Sequence, residues 1–188
     1  MRIFIALDIP AEIRARIVEY VERVRRLAPE ARWARTEGLH VTLKFIGETS
    51  EERVEQIKSE LNKVRSQPFL VKFDGVGFFP GERSPRVFWI GVEGGLALEQ
   101  LASTIDEYLS KLGFQKEDRA YHPHLTLARS GSSAGAHHQL RPLASILQSE
   151  AQPHFGTMTA KELFLYRSQP QRGGSVYTRL QRCAFAEN

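Results

Sequence analysis

Two short runs of the chain share a His-x-Thr-Leu core: "LHVTLKFIGE", from Leu39 to Glu48, and "YHPHLTLARS", from Tyr121 to Ser130. Only six histidines occur in the chain, so the coincidence asks for a reason. In an extended strand, residues i and i+2 share a face. His40 and Thr42 then point one way, and Val41 and Leu43 point into a core. His124 and Thr126 repeat the arrangement over Leu125 and Leu127. Imidazole titrates near neutral pH, with a reference value of about 6.5. Two imidazoles facing one another can be held in opposite protonation states, one as acid and one as base, and each such proton transfer contributes roughly 10²–10⁴ in rate. The threonine hydroxyls can donate to non-bridging phosphate oxygens. Arg129, at the end of the second motif, offers a forked cation suited to phosphate. These are the parts that phosphodiester cleavage needs when no metal takes part.

Histidines also bind metals. His122 and His124 share a strand face, and His137, His138 and His154 lie downstream. Neither His-x-Thr-Leu core contains an Asp or Glu to complete such a site, and Pro123 interrupts the strand between the two histidines. His137 and His138 fall in a Gly/Ser-rich stretch and are expected to be solvated. No metal site is expected.

The elements around each motif follow one order. "PAEIRARIVEYVERVRRLA" spaces Ile13, Ile17, Val21 and Val24 for a helix, with Pro10 in its first turn. The first His-strand follows. A second helix has Thr49 and Glu52 as a capping box and Val54, Ile57, Leu61 and Val64 on its apolar face. Strands from Phe69 and from Arg86 come next, joined by a Pro/Gly turn. Then the order recurs. A helix carries Leu98, Leu101, Ile105 and Leu109, with Gly113 as its C-terminal cap. The second His-strand, a weaker helix over "PLASILQSE", and strands "TAKELFLYR" and "SVYTRLQRC" complete it. His40 and His124 lie 84 positions apart. The reading is one domain over 1–188, built from duplicated units of about 11–93 and 96–183. Its class is α+β, with an antiparallel sheet and helices in each of two lobes. A pseudo-twofold relation would set the two His-strands face to face across a central cleft.

Composition narrows the function classes. Hydrophobic residues make up 41% and charged residues 26%, which excludes a disordered chain. No run of about 18 apolar residues exists, so no membrane span is expected. The opening "MRIFIALDIP" enters an alternating strand and lacks the apolar stretch of a signal peptide. A cytoplasmic location is expected. The single Cys183 can form neither an internal disulfide nor a thiolate metal site alone. The net charge of +4 and a pI near 9.4 suit an anionic partner such as a nucleic acid or phosphate ester. No GxxxxGKS-type phosphate loop is present.

"HVTLKFIG" and "HPHLTLAR", with "RIFIAL" at the start and "PRVFWIGV" between them, resemble the 2′-5′ RNA ligase family, also called RNA 2′,3′-cyclic phosphodiesterases (LigT/ThpR-like), within the two-histidine phosphoesterase superfamily. The resemblance covers essentially the whole chain. It implies a bilobal α+β fold, no cofactor and no catalytic metal. It implies that His40 is the proton donor and His124 the acceptor that activates water, that Thr42 and Thr126 bind the phosphate, and that Arg129 assists. Phe45 is a candidate base contact, although strict alternation points it away from His40. The implied substrate is RNA ending in a 2′,3′-cyclic phosphate, opened to a 2′-phosphomonoester by a monomeric enzyme. The family is also linked to reversible, ATP-independent joining of tRNA halves through a 2′-5′ bond. Two other readings stay open: a phosphodiesterase for small cyclic nucleotides or ADP-ribose cyclic phosphate, and an RNA-binding module without catalysis.

Overall fold

A computed structural model describes residues 1–132, 136–172 and 174–186. The N-terminal strand β1 spans Arg2–Asp8, and helix α1 spans Ala11–Val24 with Ile13, Ile17, Val21 and Val24 buried. A two-residue strand β2, Arg32–Trp33, precedes the first His-strand β3, His40–Glu48. Helix α2, Glu51–Leu61, leads to strands β4, Phe69–Phe79, and β5, Val87–Glu93. Helix α3 covers Gly95–Lys111, the second His-strand β6 covers His124–Arg129, and helix α4 covers Arg141–Leu147. Strands β7, His154–Ala160, β8, Glu162–Gln171, and β9, Gly174–Ala184, follow.

The strands form two antiparallel sheets, in the orders β3-β1-β8-β9 and β2-β6-β5-β4-β7. The α+β class with an antiparallel sheet in each lobe is what the residue pattern predicted. Each sheet takes strands from both halves of the chain. β1 pairs β8 in one sheet, and β5 pairs β6 in the other. The sheet orders correspond position by position, with β3 matching β6, β1 matching β5, and β8 matching β4. One contiguous apolar core runs under both sheets, from Ile5 and Leu7 through Phe73 and Phe88 to Leu125 and Leu165. Helix α3 lies against β3 and β4, and β3 touches β6 directly.

Three local features depart from the expected pattern. Helix α2 is capped by Ser50, whose Oγ accepts from the Arg53 N–H at 3.4 Å, and not by Thr49. β7 is not among the expected strands, since only Phe155 and Ala160 of its seven residues are buried; it exists by pairing along β4. β2 is too short to leave a pattern. The end of α3 is as expected: Gly113, at φ +83°, takes the left-handed position after the helix.

Candidate active site

His40 and His124 are each the first residue of their strand. Each imidazole makes the same local bond. His40 Nδ1 lies 2.7 Å from the Gly38 carbonyl, and His124 Nδ1 lies 2.7 Å from the His122 carbonyl. A carbonyl only accepts, so Nδ1 carries the hydrogen in both rings. This leaves Nε2 of each ring for a substrate. Aromatic neighbours hold the rings in place. Phe4 stacks on His40 with centroids 4.5 Å apart, and Tyr177 meets it edge-on at 5.1 Å. Phe79 meets His124 edge-on at 5.1 Å. Burial lowers the pKa of both imidazoles below the ordinary value. Their charged neighbours differ. The Asp8 carboxylate favours a proton on His40 and Arg14 opposes it, whereas Arg129 and His122 both oppose one on His124.

Both strands carry a β-bulge one residue past the threonine. On β3, Thr42 opposes Ala6 and Lys44 opposes Ile5, so Leu43 is the extra residue. On β6, Thr126 opposes Trp89 and Ala128 opposes Phe88, so Leu127 is extra. Two consecutive side chains then point inward on each strand: Leu43 with Lys44, and Leu127 with Ala128. The alternation restarts one step late, which brings Phe45 and Arg129 to the histidine face. This corrects the expectation that Phe45 points away from His40. The inward Lys44 is satisfied by Asp106 at 2.5 Å and by the Gln115 carbonyl at 2.8 Å. Tyr121 ties the two motifs together: its hydroxyl donates to the Thr42 carbonyl at 2.9 Å.

One cavity of about 500 Å³ is lined by all six expected residues: His40, His124, Thr42, Thr126, Arg129 and Phe45. Arg129 Nη2 reaches Thr126 Oγ1 at 3.5 Å. Sequence reasoning missed Arg32, Arg35, Ser175 and Tyr177, which line the same cavity. Tyr177 stands on β9 above Gly38, where a Cβ would come within 2.9 Å of its ring. The only signal for it was the second unit's last strand, which was read as sheet and not as site. Behind Phe4, Tyr166 donates to Asp8 and receives a bond from Arg179 Nε at 3.1 Å. Burial, helped by that carboxylate, pushes the Tyr166 phenol up to about 12.

The other histidines lie apart from this constellation. His154 pairs with Asp74 on β4. His122 is exposed and contributes its carbonyl to His124. His138 is exposed in a short 3₁₀ turn, and the His137 side chain lies outside the described residues. Among the described residues no three His, Cys, Asp or Glu side chains gather as a metal site. No helix among them is long and apolar enough to cross a membrane.

Known proteins resemble this chain in sequence and fold. The family model described as LigT like Phosphoesterase matches residues 7–89 and again 90–177. An RNA 2′,3′-cyclic phosphodiesterase of Archaeoglobus fulgidus is 34% identical over 96% of this chain and 98% of its own length. An Escherichia coli protein of the same name is 32% identical, covering 99% and 97%. The crystal structure of E. coli LigT complexed with 3′-AMP superposes with a TM-score of 0.80 at 30% identity, over 99% of this chain and 98% of that one. With the model matching twice, once around each histidine strand, this chain belongs to the LigT-like phosphoesterase family.

Proposed function

We propose that this protein opens the terminal 2′,3′-cyclic phosphate of RNA to a 2′-phosphomonoester, using His40 as general acid and His124 as general base, without a metal. One observation carries the reading: two imidazoles with identically fixed tautomers present Nε2 to a single cavity that also holds two threonines and an arginine. His124 Nε2 takes a proton from water as the oxygen attacks phosphorus. His40, holding its second proton, gives it from Nε2 to the departing O3′. In-line attack needs acid and base on opposite sides of the phosphate, and histidines carried on two separate strands that line one cavity suit that need. The charges beside each ring support the assignment, since Asp8 favours the imidazolium at His40 while Arg129 and His122 disfavour it at His124. Thr42, Thr126 and Arg129 would hold the non-bridging oxygens, where preorganised donors act most strongly. Phe45, exposed at the rim, would contact a base. The relatives' printed names support RNA as the substrate.

The same steps run in the same direction, with a 5′-hydroxyl in place of water, would join RNA ends such as tRNA halves through a 2′-5′ bond, and their reversal would cleave that bond. We read the chain as one domain of two duplicated units, acting as a cytoplasmic monomer; the family model's two matches support the duplication. The test is incubation with an RNA bearing a 2′,3′-cyclic phosphate, followed by phosphorus NMR. A 2′-phosphomonoester is expected, formed at an unchanged rate in excess EDTA. A 3′-phosphate would reverse the seating of the ribose. Loss of activity in chelator, restored by a divalent ion, would replace the metal-free scheme.

A further inference from the structure

Arg32 and Arg129 stand directly opposite one another on β2 and β6. Like charges in facing positions of a sheet destabilise it, so this pairing opposes folding unless something else uses it. The strand that imposes it is two residues long. It is held by the Ala34 N–H bond to the carbonyl of the bulged Leu127 at 2.8 Å, and by Trp33 Nε1 donating to the Ala28 carbonyl at 2.9 Å. Arg32 Nη2 donates to the Ser130 carbonyl at 3.2 Å. Among the described residues neither arginine has a carboxylate partner. The whole histidine cavity follows suit. Arg32, Arg35 and Arg129 line it, and no Asp or Glu among the described residues does. Asp8 and Glu37 line the neighbouring cavity that shares His40, so carboxylates are near but do not line the space that holds both histidines.

A 2′,3′-cyclic phosphate is a diester with a single negative charge. One guanidinium and two hydroxyls suffice for it, and Arg129, Thr42 and Thr126 are already placed there. The additional cations match more negative charge than one diester supplies. Resting on the proposed function, we propose that Arg32 binds a second phosphate, the phosphodiester on the 5′ side of the nucleotide being opened. The site is then built for the end of an RNA strand and discriminates against a lone nucleoside 2′,3′-cyclic phosphate. The planar guanidinium fork suits a phosphodiester's two free oxygens. The substrate's own charge relieves the Arg32–Arg129 repulsion when it binds.

The experiment compares two substrates that differ only by that group: uridine 2′,3′-cyclic phosphate, and the same compound carrying a methyl phosphate on its 5′ oxygen. The wild-type protein should show kcat/KM about ten-fold or more higher on the second, mainly through KM. In Arg32→Ala the gain should shrink to within about two-fold, and Arg32→Lys should keep part of it because charge survives while the fork is lost. Equal turnover of both compounds by the wild type would overturn the inference and leave the proposed function standing. So would an Arg32→Ala protein that slows on both compounds alike and keeps the gain, since Arg32 would then serve the cyclic phosphate or the fold. If the wild type opens neither compound nor a cyclic-phosphate RNA, the proposed function itself fails. The wild-type comparison is decisive even where a variant does not fold.

Discussion

A histidine whose Nδ1 is tied to a carbonyl two residues back can present only Nε2, and here that lock occurs twice. Removing either ring should therefore remove one whole proton transfer. His40→Ala and His124→Ala should each lower kcat by about 10²–10⁴, and the double variant should lose little more than the worse single one, because acid and base act as a unit. Additive losses in single-turnover assays would mean the rings work independently. The pH profile follows from burial. Both imidazoles sit below their ordinary pKa in the free protein, with desolvation as the leading cause. The acid must be protonated to work, so its deprotonation sets the alkaline limb of the rate. A bound phosphate anion favours the imidazolium and raises that pKa. The alkaline limb of kcat, which reports the complex, should lie at higher pH than that of kcat/KM, which reports the free protein. Coincident limbs would show that the substrate's charge does not reach the acid. Arg129→Ala should cost about 10²–10³ in kcat, the usual effect of deleting one oxyanion donor, with partial recovery in Arg129→Lys. Unchanged turnover in Arg129→Ala would remove it from the site.

The elements turn these residues into a site through features too small to leave a sequence pattern. The alternation of "HVTL" and "HLTL" made the two histidines, the two threonines and the buried positions between them legible. One inserted residue just past each threonine then inverted the positions that follow it, Phe45 and Arg129 among them. Leu43 and Leu127 are ordinary apolar residues, and nothing in their type marks a bulge, so Phe45 read as facing away from its actual side. Arg32 and Tyr177 were invisible for another reason. They reach the cavity through strand pairings and loops between distant parts of the chain, and neither stands in a motif. The 3₁₀ turn Thr36–Gly38 shows how closely such pieces fit. Gly38 supplies the carbonyl that fixes His40 and also lies beneath Tyr177, where a Cβ would approach the ring to 2.9 Å. Gly38→Ala should displace one or the other, costing about 1–3 kcal/mol of stability as overpacking and lowering kcat. The cause can be isolated. In a Tyr177→Ala background the ring is gone, and Gly38→Ala should become nearly neutral for stability, a coupling that a double-mutant cycle measures. Equal costs in the two backgrounds would place the strain elsewhere.

At the scale of the whole molecule, the duplicated chain does not make two independent halves. The first His-strand, β3, belongs to a sheet completed by β8 and β9, and the second, β6, belongs to a sheet built on β4 and β5. Cutting the chain between β5 and α3 would leave β1 without β8 and β6 without β5, each an interior partner. The core is likewise shared, with Leu7, Phe88 and Leu165 in one cluster. Such a structure should unfold in a single step, because neither sheet can persist when the other half's strands leave. The chain offers a direct check. Its two tryptophans, Trp33 on β2 and Trp89 on β5, both lie in the five-stranded sheet, so their fluorescence reports that sheet alone. Far-UV circular dichroism reports both sheets and the helices. In urea the two signals should trace one transition with a common midpoint, and the slope should be that of a 188-residue unit rather than of half of it. If fluorescence changed at a different midpoint from dichroism, the two sheets would be separable folding units. The cleft between them would then be free to open without unfolding either, and catalysis by histidines on opposite sheets would depend on that opening.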